Sequence, residues 1–286
     1  MAKAKKDGPR RKDGVWDPLK DSSTDRRSAA GVPKTPQSMS PTYRLAYADE
    51  DFLCREELRP VRLQLELLKA EMVLAERRIK STVVLFGGAR IPAPGQAAWA
   101  ARNETQRGNL EAASVYYEEA RKFAHLCASY GEQFDNQEYV VVTGGGPGVM
   151  EAGNRGASEA GAPTVGFNVV LPHEQAPNPY VTPELSFNFH YFAVRKMHLM
   201  MRAKAIIIFP GGFGTMDEMF EALTLIQTRR MERIPFVLFG KEFWNTMVNW
   251  QALADFGTIA PEDLELISFV ETADEAWKIV ADFYEH

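Results

Sequence analysis

The sequence has few cysteines and histidines, and neither type is arranged as a metal-binding motif. Only Cys54 and Cys127 occur, and the five histidines show no His-x-x-x-His or His-Glu-x-x-His spacing. We therefore predict no metal site and no structural disulfide. Two isolated cysteines also fit the reducing interior of a cell, so we predict a cytoplasmic protein.

Long apolar runs and a general surplus of positive charge are also missing. No run of about eighteen consecutive apolar residues occurs, which disfavours a transmembrane helix. The basic segment 1–6 is not followed by the apolar stretch of a secretory signal. Residues 1–45 carry eleven Lys and Arg against five Asp, and the remainder carries 22 basic and 33 acidic residues. Because such an acidic core is a poor surface for nucleic acid, we predict neither a membrane nor a nucleic-acid partner.

Composition divides the chain into three parts. Residues 1–45 are rich in Lys, Arg, Asp, Ser, Pro and Gly, and we predict a disordered basic tail that is either merely solvated or touches a partner. Residues 46–80 form a predicted helical extension, because apolar residues recur at helical spacing over 63–79. Pro60 marks either the start of this helix or a kink, if residues 52–59 are also helical. Residues 81–286 form the remaining domain, and a hydrophobic content of 45% is enough to bury a core.

From residue 82 onward, short apolar runs alternate with longer amphipathic segments. The apolar runs predict strands at 82–86, 139–143, 164–168, 185–188, 205–209, 235–239 and 267–270. The segments between them predict helices at 107–130, 149–161, 192–202, 216–228, 242–256 and 274–284. This alternation is typical of an α/β fold with a doubly wound parallel sheet and helices on both faces. In such a sheet, ligands bind at the carboxyl ends of the strands.

Two glycine-rich turns follow predicted strands and precede predicted helices. The first glycine turn is Gly-Gly-Gly-Pro-Gly at 144–148, and the second glycine turn is Pro-Gly-Gly-Phe-Gly at 210–214. A strand, a glycine turn and a helix start together expose backbone N–H groups at the positive end of the helix dipole, which predicts a phosphate site. The alternative is that the glycines only provide tight turn geometry.

Neither turn matches the fingerprint of a common nucleotide-binding motif. The third glycine of Gly-x-Gly-x-x-Gly is replaced by Val149 in the first turn and by Asp217 in the second. The strand at 164–168 also lacks the acidic residue that binds the ribose of NAD. A P-loop is absent because the Gly-Lys pair at 240–241 is followed by glutamate. We therefore expect neither a nicotinamide enzyme nor a P-loop hydrolase.

Two charged residues near these turns are candidates for chemistry. Glu218 lies early in the helix after the second glycine turn, near whatever is attached to a bound phosphate. The alternative is a capping box, Thr215-x-x-Glu218, in which the glutamate only bonds the backbone N–H of Thr215. Arg195 carries a planar guanidinium that suits a phosphate or an ionised carboxylate. The alternative for Arg195 and Lys196 is a pair of solvated surface charges.

These motifs resemble the LOG family, whose members were once widely labelled lysine decarboxylases. The resemblance is carried by the segment 210–218, by Val194-Arg195-Lys196-Met197 and by the segment 144–151. It implies a Rossmann-like catalytic domain at 81–286 that hydrolyses the N-glycosidic bond of a nucleoside 5′-monophosphate to free base and ribose 5-phosphate. It also implies a homodimer or a higher homo-oligomer with the site near a subunit interface, and no redox or metal cofactor.

The resemblance also implies roles for individual residues. Arg195 and Glu218 are the implied catalytic pair. The implied phosphate- and nucleotide-binding residues come from both glycine turns and their flanks: Gly144, Gly145, Gly146, Gly148, Met150, Lys196, Gly211, Gly212, Gly214 and Thr215. Glycosidic cleavage passes through an oxocarbenium-like sugar, so a carboxylate beside its anomeric carbon can stabilise the positive charge or position water.

The chain departs from the short plant-type pattern of this family in three places. These are the N-terminal extension up to Lys80, the turn Phe86-Gly87-Gly88-Ala89-Arg90, and the loop 171–180, in which His173 lies. The chain is therefore similar to a longer bacterial branch, so we expect AMP or another purine monophosphate as substrate ahead of a cytokinin ribotide. The alternative function is a non-catalytic nucleotide sensor or carrier of the same fold.

Overall fold

A seven-stranded parallel sheet forms the centre of the protein. The computed structural model describes residues 21–171 and 176–284. The strands are β1 Thr82–Phe86, β2 Val140–Thr143, β3 Val165–Val169, β4 Ser186–Phe189, β5 Ala203–Ile208, β6 Phe236–Phe239 and β7 Ser268–Val270. Their order in the sheet is β4-β3-β2-β1-β5-β6-β7, and every neighbouring pair is parallel. The direction in which the chain adds strands reverses between β1 and β5, which is where open α/β sheets bind ligands.

Helices connect the strands and cover the sheet. They are α1 Ser22–Ala30, α2 Glu50–Leu53, α3 Arg59–Glu76, α4 Glu104–Ala112, α5 Ser114–Gly131, α6 Val149–Glu159, α7 Phe192–Met201, α8 Phe213–Gln227, α9 Lys241–Met247, α10 Trp250–Asp255 and α11 Ala273–Tyr284. Helices α5, α6 and α11 share a core with alternate residues of the central strands, such as Val83 and Ile207. The intervening residues, such as Val84 and Ile206, are also buried. Both faces of the sheet are therefore covered, and the predicted Rossmann-like α/β fold is confirmed.

The predicted strands are all found, with small shifts of their ends. The strand predicted from residue 139 begins one residue later, because Tyr139 has a φ of 57° that does not fit an extended strand. Two predicted helices are each divided in the structure. The helix predicted at 107–130 is α4 followed by α5, and the helix predicted at 242–256 is α9 followed by α10. The second division occurs where the side chain of Asn249 caps the start of α10 by accepting from the N–H of Ala252.

The N-terminal region is helical where it is described. The chain divides into two compact units, Met1–Gln64 and Leu65–His286. The predicted helix at 63–79 is α3, with Pro60 as its second residue. Helix α1 lies in the segment predicted to be disordered, and none of its residues is buried. Residues 1–20 lie outside the described residues, so disorder and the boundaries at 45 and 80 stay predictions. Among the described residues, no helix is both long and apolar enough to cross a membrane.

Candidate functional site

The two glycine turns meet at the carboxyl edge of the sheet, where β1 and β5 are neighbours. Gly88, in the turn after β1, connects them. Its N–H donates to the carbonyl of Pro210 at 2.9 Å, and its carbonyl accepts from the N–H of Val149 at 3.3 Å. Both turns therefore lie at the carboxyl edge of the sheet, as predicted. Gly88 itself was not predicted as a site residue, since only this spatial arrangement assigns it a role.

The first glycine turn is packed against Arg195. A Cβ atom on Gly144 would lie 2.6 Å from Nη2 of Arg195 and 2.8 Å from Sδ of Met150. A Cβ atom on Gly146 would lie 2.8 Å from Cε of Met150. All three distances are shorter than real Cβ contacts, so a side chain on either glycine would displace the guanidinium of Arg195 or the thioether of Met150.

The other glycines of the first turn are constrained by both backbone angle and neighbours. Gly145 has a φ of 74° and Gly148 a φ of 69°, in the region that favours glycine. A Cβ atom on Gly145 would lie 2.3 Å from Oδ1 of Asn168, and one on Gly148 would lie 2.4 Å from the carbonyl oxygen of Gly88. The first turn is thus a closely packed corner of the protein.

Buried polar side chains hold this corner in place. Thr143 accepts a hydrogen bond from the N–H of Gly145 at 2.9 Å. The side-chain amide of Asn178 donates to the carbonyls of Gly145 at 3.1 Å and Gly146 at 3.0 Å, and to Oδ1 of Asn154 at 2.9 Å. Asn178 lies in the loop 171–180. Its contact with the turn was not predicted, because the partners are more than thirty residues apart in the sequence. His173, in the same loop, lies outside the described residues.

The second glycine turn is open to solvent at the start of α8. Gly212 is the N-cap residue, and no side chain caps the helix. Gly212, Phe213 and Gly214 are exposed, and a Cβ atom on either glycine would meet nothing within 4 Å. Gly211 differs, because a Cβ atom there would lie 2.2 Å from Oγ1 of the buried Thr215. The first N–H groups of α8 have no intrahelical acceptor, so this end can receive an anion.

The observed start of α8 decides the capping-box alternative. The helix was predicted to start at Met216, but it starts three residues earlier, at Phe213. Thr215 is therefore inside the first turn and cannot be the N-cap residue of a box with Glu218. Glu218 is the sixth residue of the helix, in its second turn. The capping-box alternative is wrong, because the cap position belongs to Gly212.

Arg195 and Glu218 form a buried ion pair next to the first glycine turn. Nη2 of Arg195 lies 3.3 Å from Oε1 of Glu218, and each side chain is 11% exposed. Nε of Arg195 donates to the carbonyl of Phe167 at 2.8 Å. Burial raises the pKa of Glu218 to about 7, and the charge of Arg195 opposes that rise. The interpretation of Arg195 as a solvated surface charge is therefore wrong.

Lys196, the neighbour of Arg195, is bound to carboxylates of α8. Its ammonium group lies 3.0 Å from Oδ2 of Asp217 and 2.7 Å from Oε2 of Glu221. These contacts join α7 to α8 on the outer side of the Arg195–Glu218 pair. A groove of 440 Å³ runs along the same exposed face of α8, from Phe213 to Leu225. The role of Lys196 in nucleotide binding stays a prediction, since the structure shows its charge used between the two helices.

The arrangement combines an exposed, uncapped helix start with a buried acid whose pKa is near neutrality. Such a combination is typical of sites that anchor a charged group and act on an atom attached to it. Among the described residues, no group of three or more His, Cys, Asp or Glu side chains is arranged to hold a metal ion.

Part of the chain matches the model of a known protein family. The family model described as "Possible lysine decarboxylase" matches residues 150–280. The resemblance to the LOG-like family is confirmed. The matched segment contains Arg195, Glu218 and the whole second glycine turn, while the first glycine turn lies just before it.

Solved structures similar to this chain include two proteins described as binding or carrying the molybdenum cofactor. The molybdenum cofactor binding protein from the phototrophic bacterium Rippkaea orientalis is 16% identical, with a TM-score of 0.46, and the match covers 71% of this chain and 97% of that one. The Moco carrier protein from Chlamydomonas reinhardtii is 20% identical, with a TM-score of 0.45, and the match covers 72% and 98%. No curated protein sequence matches the chain.

Proposed function

We propose that the protein hydrolyses the N-glycosidic bond of a purine nucleoside 5′-monophosphate, AMP or a cytokinin ribotide, to free base and ribose 5-phosphate. The observation that carries this proposal is the buried Arg195–Glu218 pair, whose glutamate lies on α8, the helix with an exposed, uncapped start that can bind a phosphate. The confirmed LOG-like relationship supports the same activity, because hydrolysis of this bond is what the family resemblance implies.

In this proposal the phosphate binds the exposed N–H groups at Gly212, Phe213 and Gly214. Glu218 follows Phe213 by five residues, or about 7.5 Å along the helix. A ribose lies between the phosphate and the base in a nucleotide, so a phosphate anchored at the helix start carries the anomeric carbon toward Glu218. Binding of the unreactive phosphate thereby orients the bond that breaks.

The protonation of Glu218 is suited to this chemistry near neutral pH. With a pKa of about 7, the side chain is ionised in a large fraction of molecules at neutral pH, and that fraction increases as the pH rises. The carboxylate stabilises the positive charge that develops on the ribose and takes a proton from the attacking water, while the departing base keeps the electrons of the broken bond and is protonated by solvent. Arg195 favours the ionised form, because its positive charge lies 3.3 Å away.

The test is to incubate the pure protein with AMP and to separate the products by chromatography. We expect adenine and ribose 5-phosphate, and a loss of activity of about 100-fold or more for Glu218→Gln. Glu242→Gln, an exposed glutamate on α9, serves as the control and should keep full activity. Adenosine should react poorly, since it lacks the phosphate that positions the sugar. Full activity of Glu218→Gln would contradict the proposed role, and binding of AMP without cleavage would favour a nucleotide carrier or sensor.

Two further parts of the proposal concern the base and the assembly. A panel of the common 5′-monophosphates and a cytokinin ribotide decides which base is accepted. We also propose a homodimer or a higher homo-oligomer, because several large apolar side chains near the site are exposed: Phe192, Met197, Met201, Phe213 and Phe220. Light scattering coupled to size-exclusion chromatography measures the mass directly, and a monomer at micromolar concentration would contradict this part.

A further inference from the structure

Helix α7, which carries Arg195, receives its N-terminal support from a glutamate of α3. No side chain of its own caps α7, whose N-cap residue is Tyr191. The carboxylate of Glu66 accepts hydrogen bonds from the backbone N–H groups of His190 at 2.8 Å and of Tyr191 at 3.2 Å. The carbonyl of Tyr191 in turn accepts from the N–H of Arg195 at 3.1 Å. A negative charge at this end of a helix is favourable because it faces the positive end of the dipole.

The C-terminal end of α7 is held by a second glutamate of α3. Arg202 is the C-cap residue of α7, and its guanidinium makes two hydrogen bonds to the carboxylate of Glu71, one of them at 2.9 Å. The buried ring of His198, in the last turn of α7, lies 3.3 Å from the same carboxylate. Bidentate contacts between a guanidinium and a carboxylate fix the relative orientation of the two groups as well as their distance. Helix α3 therefore contacts α7 through a carboxylate at each end.

We propose that α3, in the N-terminal extension, is a working part of the active site, in which Glu66 and Glu71 position α7 and thereby aim Arg195 at Glu218. This inference rests on the proposed function for its catalytic consequence. Its structural part stands on the two carboxylate contacts alone. Arg195 lies between the two contacts, four residues after Tyr191 and seven before Arg202, so movement at either end of α7 moves its guanidinium.

The experiment uses the full chain with Glu66→Ala and Glu71→Ala, and with Glu76→Ala as the control. Glu76 is an exposed glutamate at the end of α3, without an ion pair among the described residues. We expect the first two variants to lose about 10-fold or more in kcat for AMP with a smaller change in KM, because misplacement of a catalytic group has a large kinetic effect. Glu76→Ala should behave as the wild type. If an alanine variant does not fold, Glu66→Gln and Glu71→Gln are measured in its place.

A second readout separates this inference from the proposed function. The carboxyl signal of Glu218 is titrated by carbon NMR without any nucleotide, and it is identified by its absence in Glu218→Gln. If α3 positions Arg195, the pKa of Glu218 rises by about half a unit or more in Glu66→Ala and Glu71→Ala, because the stabilising positive charge moves away. A protein that cleaves no AMP but shows this rise would refute the proposed function and support the positioning role.

A double variant tests whether Glu71 acts through Arg202. If it does, adding Arg202→Ala to Glu71→Ala causes little further loss of kcat, because the two side chains belong to one contact. Folded Glu66→Ala and Glu71→Ala proteins with the kcat and the Glu218 pKa of the Glu76→Ala control would overturn the proposal. So would fully additive losses from Glu71→Ala and Arg202→Ala, since α7 would then not depend on their contact.

Discussion

The two glycine turns look alike in the sequence and differ in the structure. In the first turn, Cβ atoms on Gly144 and Gly145 would lie 2.6 Å from Arg195 and 2.3 Å from Asn168. In the second turn, Cβ atoms on Gly212 and Gly214 would meet nothing within 4 Å. One turn is filled by the protein itself, and the other leaves its backbone open to solvent.

A glycine turn can serve close packing or it can leave backbone N–H groups accessible to a ligand. The two turns differ in which of these explanations fits. In the first turn, glycine lets side chains of the site approach the backbone, so its main effect is to position Arg195. In the second turn, neither neighbours nor a positive φ requires glycine at positions 212 and 214. Glycine there leaves the N–H groups at the start of α8 accessible, which is what the proposed binding of a phosphate needs.

The largest effect is expected from Gly144→Ala, which fills the space used by Arg195. The added methyl group would displace the guanidinium or Met150, so we expect kcat/KM for AMP to fall about 100-fold and the free energy of unfolding to fall by about 1–3 kcal/mol. Steady-state kinetics measures the change in kcat/KM, and urea denaturation measures the change in the free energy of unfolding. Gly214→Ala is the matched control in the open turn and should not lower stability. Equal stability losses in both variants would break the comparison.

The support of the first turn gives the second prediction. Asn178→Ala removes the amide that donates to the carbonyls of Gly145 and Gly146. We expect the free energy of unfolding to fall by about 2 kcal/mol, since buried polar groups are left without a partner. Asn188→Ala, on the exposed side of β4, should change it by less than about 0.5 kcal/mol. If the two variants unfold at the same urea concentration, Asn178 does not support the turn.

The contrast between the turns also shows how far the sequence could predict the site. Short apolar runs such as 205–209 identify buried parallel strands, because both faces of such a strand are covered. The position of both turns at one edge follows from the parallel direction of the strands. Arg195 and Glu218 were expected from the family motifs, and the structure brings them to 3.3 Å from one another.

The parts that were missed depend on contacts between distant segments. Gly88 joins the turns through backbone atoms, and no residue type signals such a role. Asn178 reaches the first turn from a loop more than thirty residues later. The start of α8 was placed at Met216 instead of Phe213 because the glycines before it have low helix propensity.

The third prediction concerns the buried carboxyl group of Glu218 on α8. The pKa of Glu218 is about 7 in the folded protein against an ordinary value of 4.5, so the folded state binds more protons between these values. Stability that depends on this group is present below pH 4.5 and is lost as the pH rises through 7. We expect the stability of Glu218→Gln relative to the wild type to increase by about 2–3 kcal/mol between pH 5 and pH 8. Urea denaturation at both pH values measures the difference, and a constant difference would show that burial does not disfavour the carboxylate.

The smallest change in stability is expected where the second turn is given a cap. Gly212 is the N-cap residue of α8, and its φ of −96° is accessible to any residue. In Gly212→Asp, the new carboxylate accepts from the free N–H groups and stabilises the helix by only about 0.3 kcal/mol. The same carboxylate occupies and repels the phosphate position, so KM for AMP should rise about 10-fold or more. Gly212→Asn caps the helix without the charge and should raise KM less. If both variants keep the wild-type KM, the open turn does not hold the phosphate, and its glycines would have to be explained by something other than ligand access.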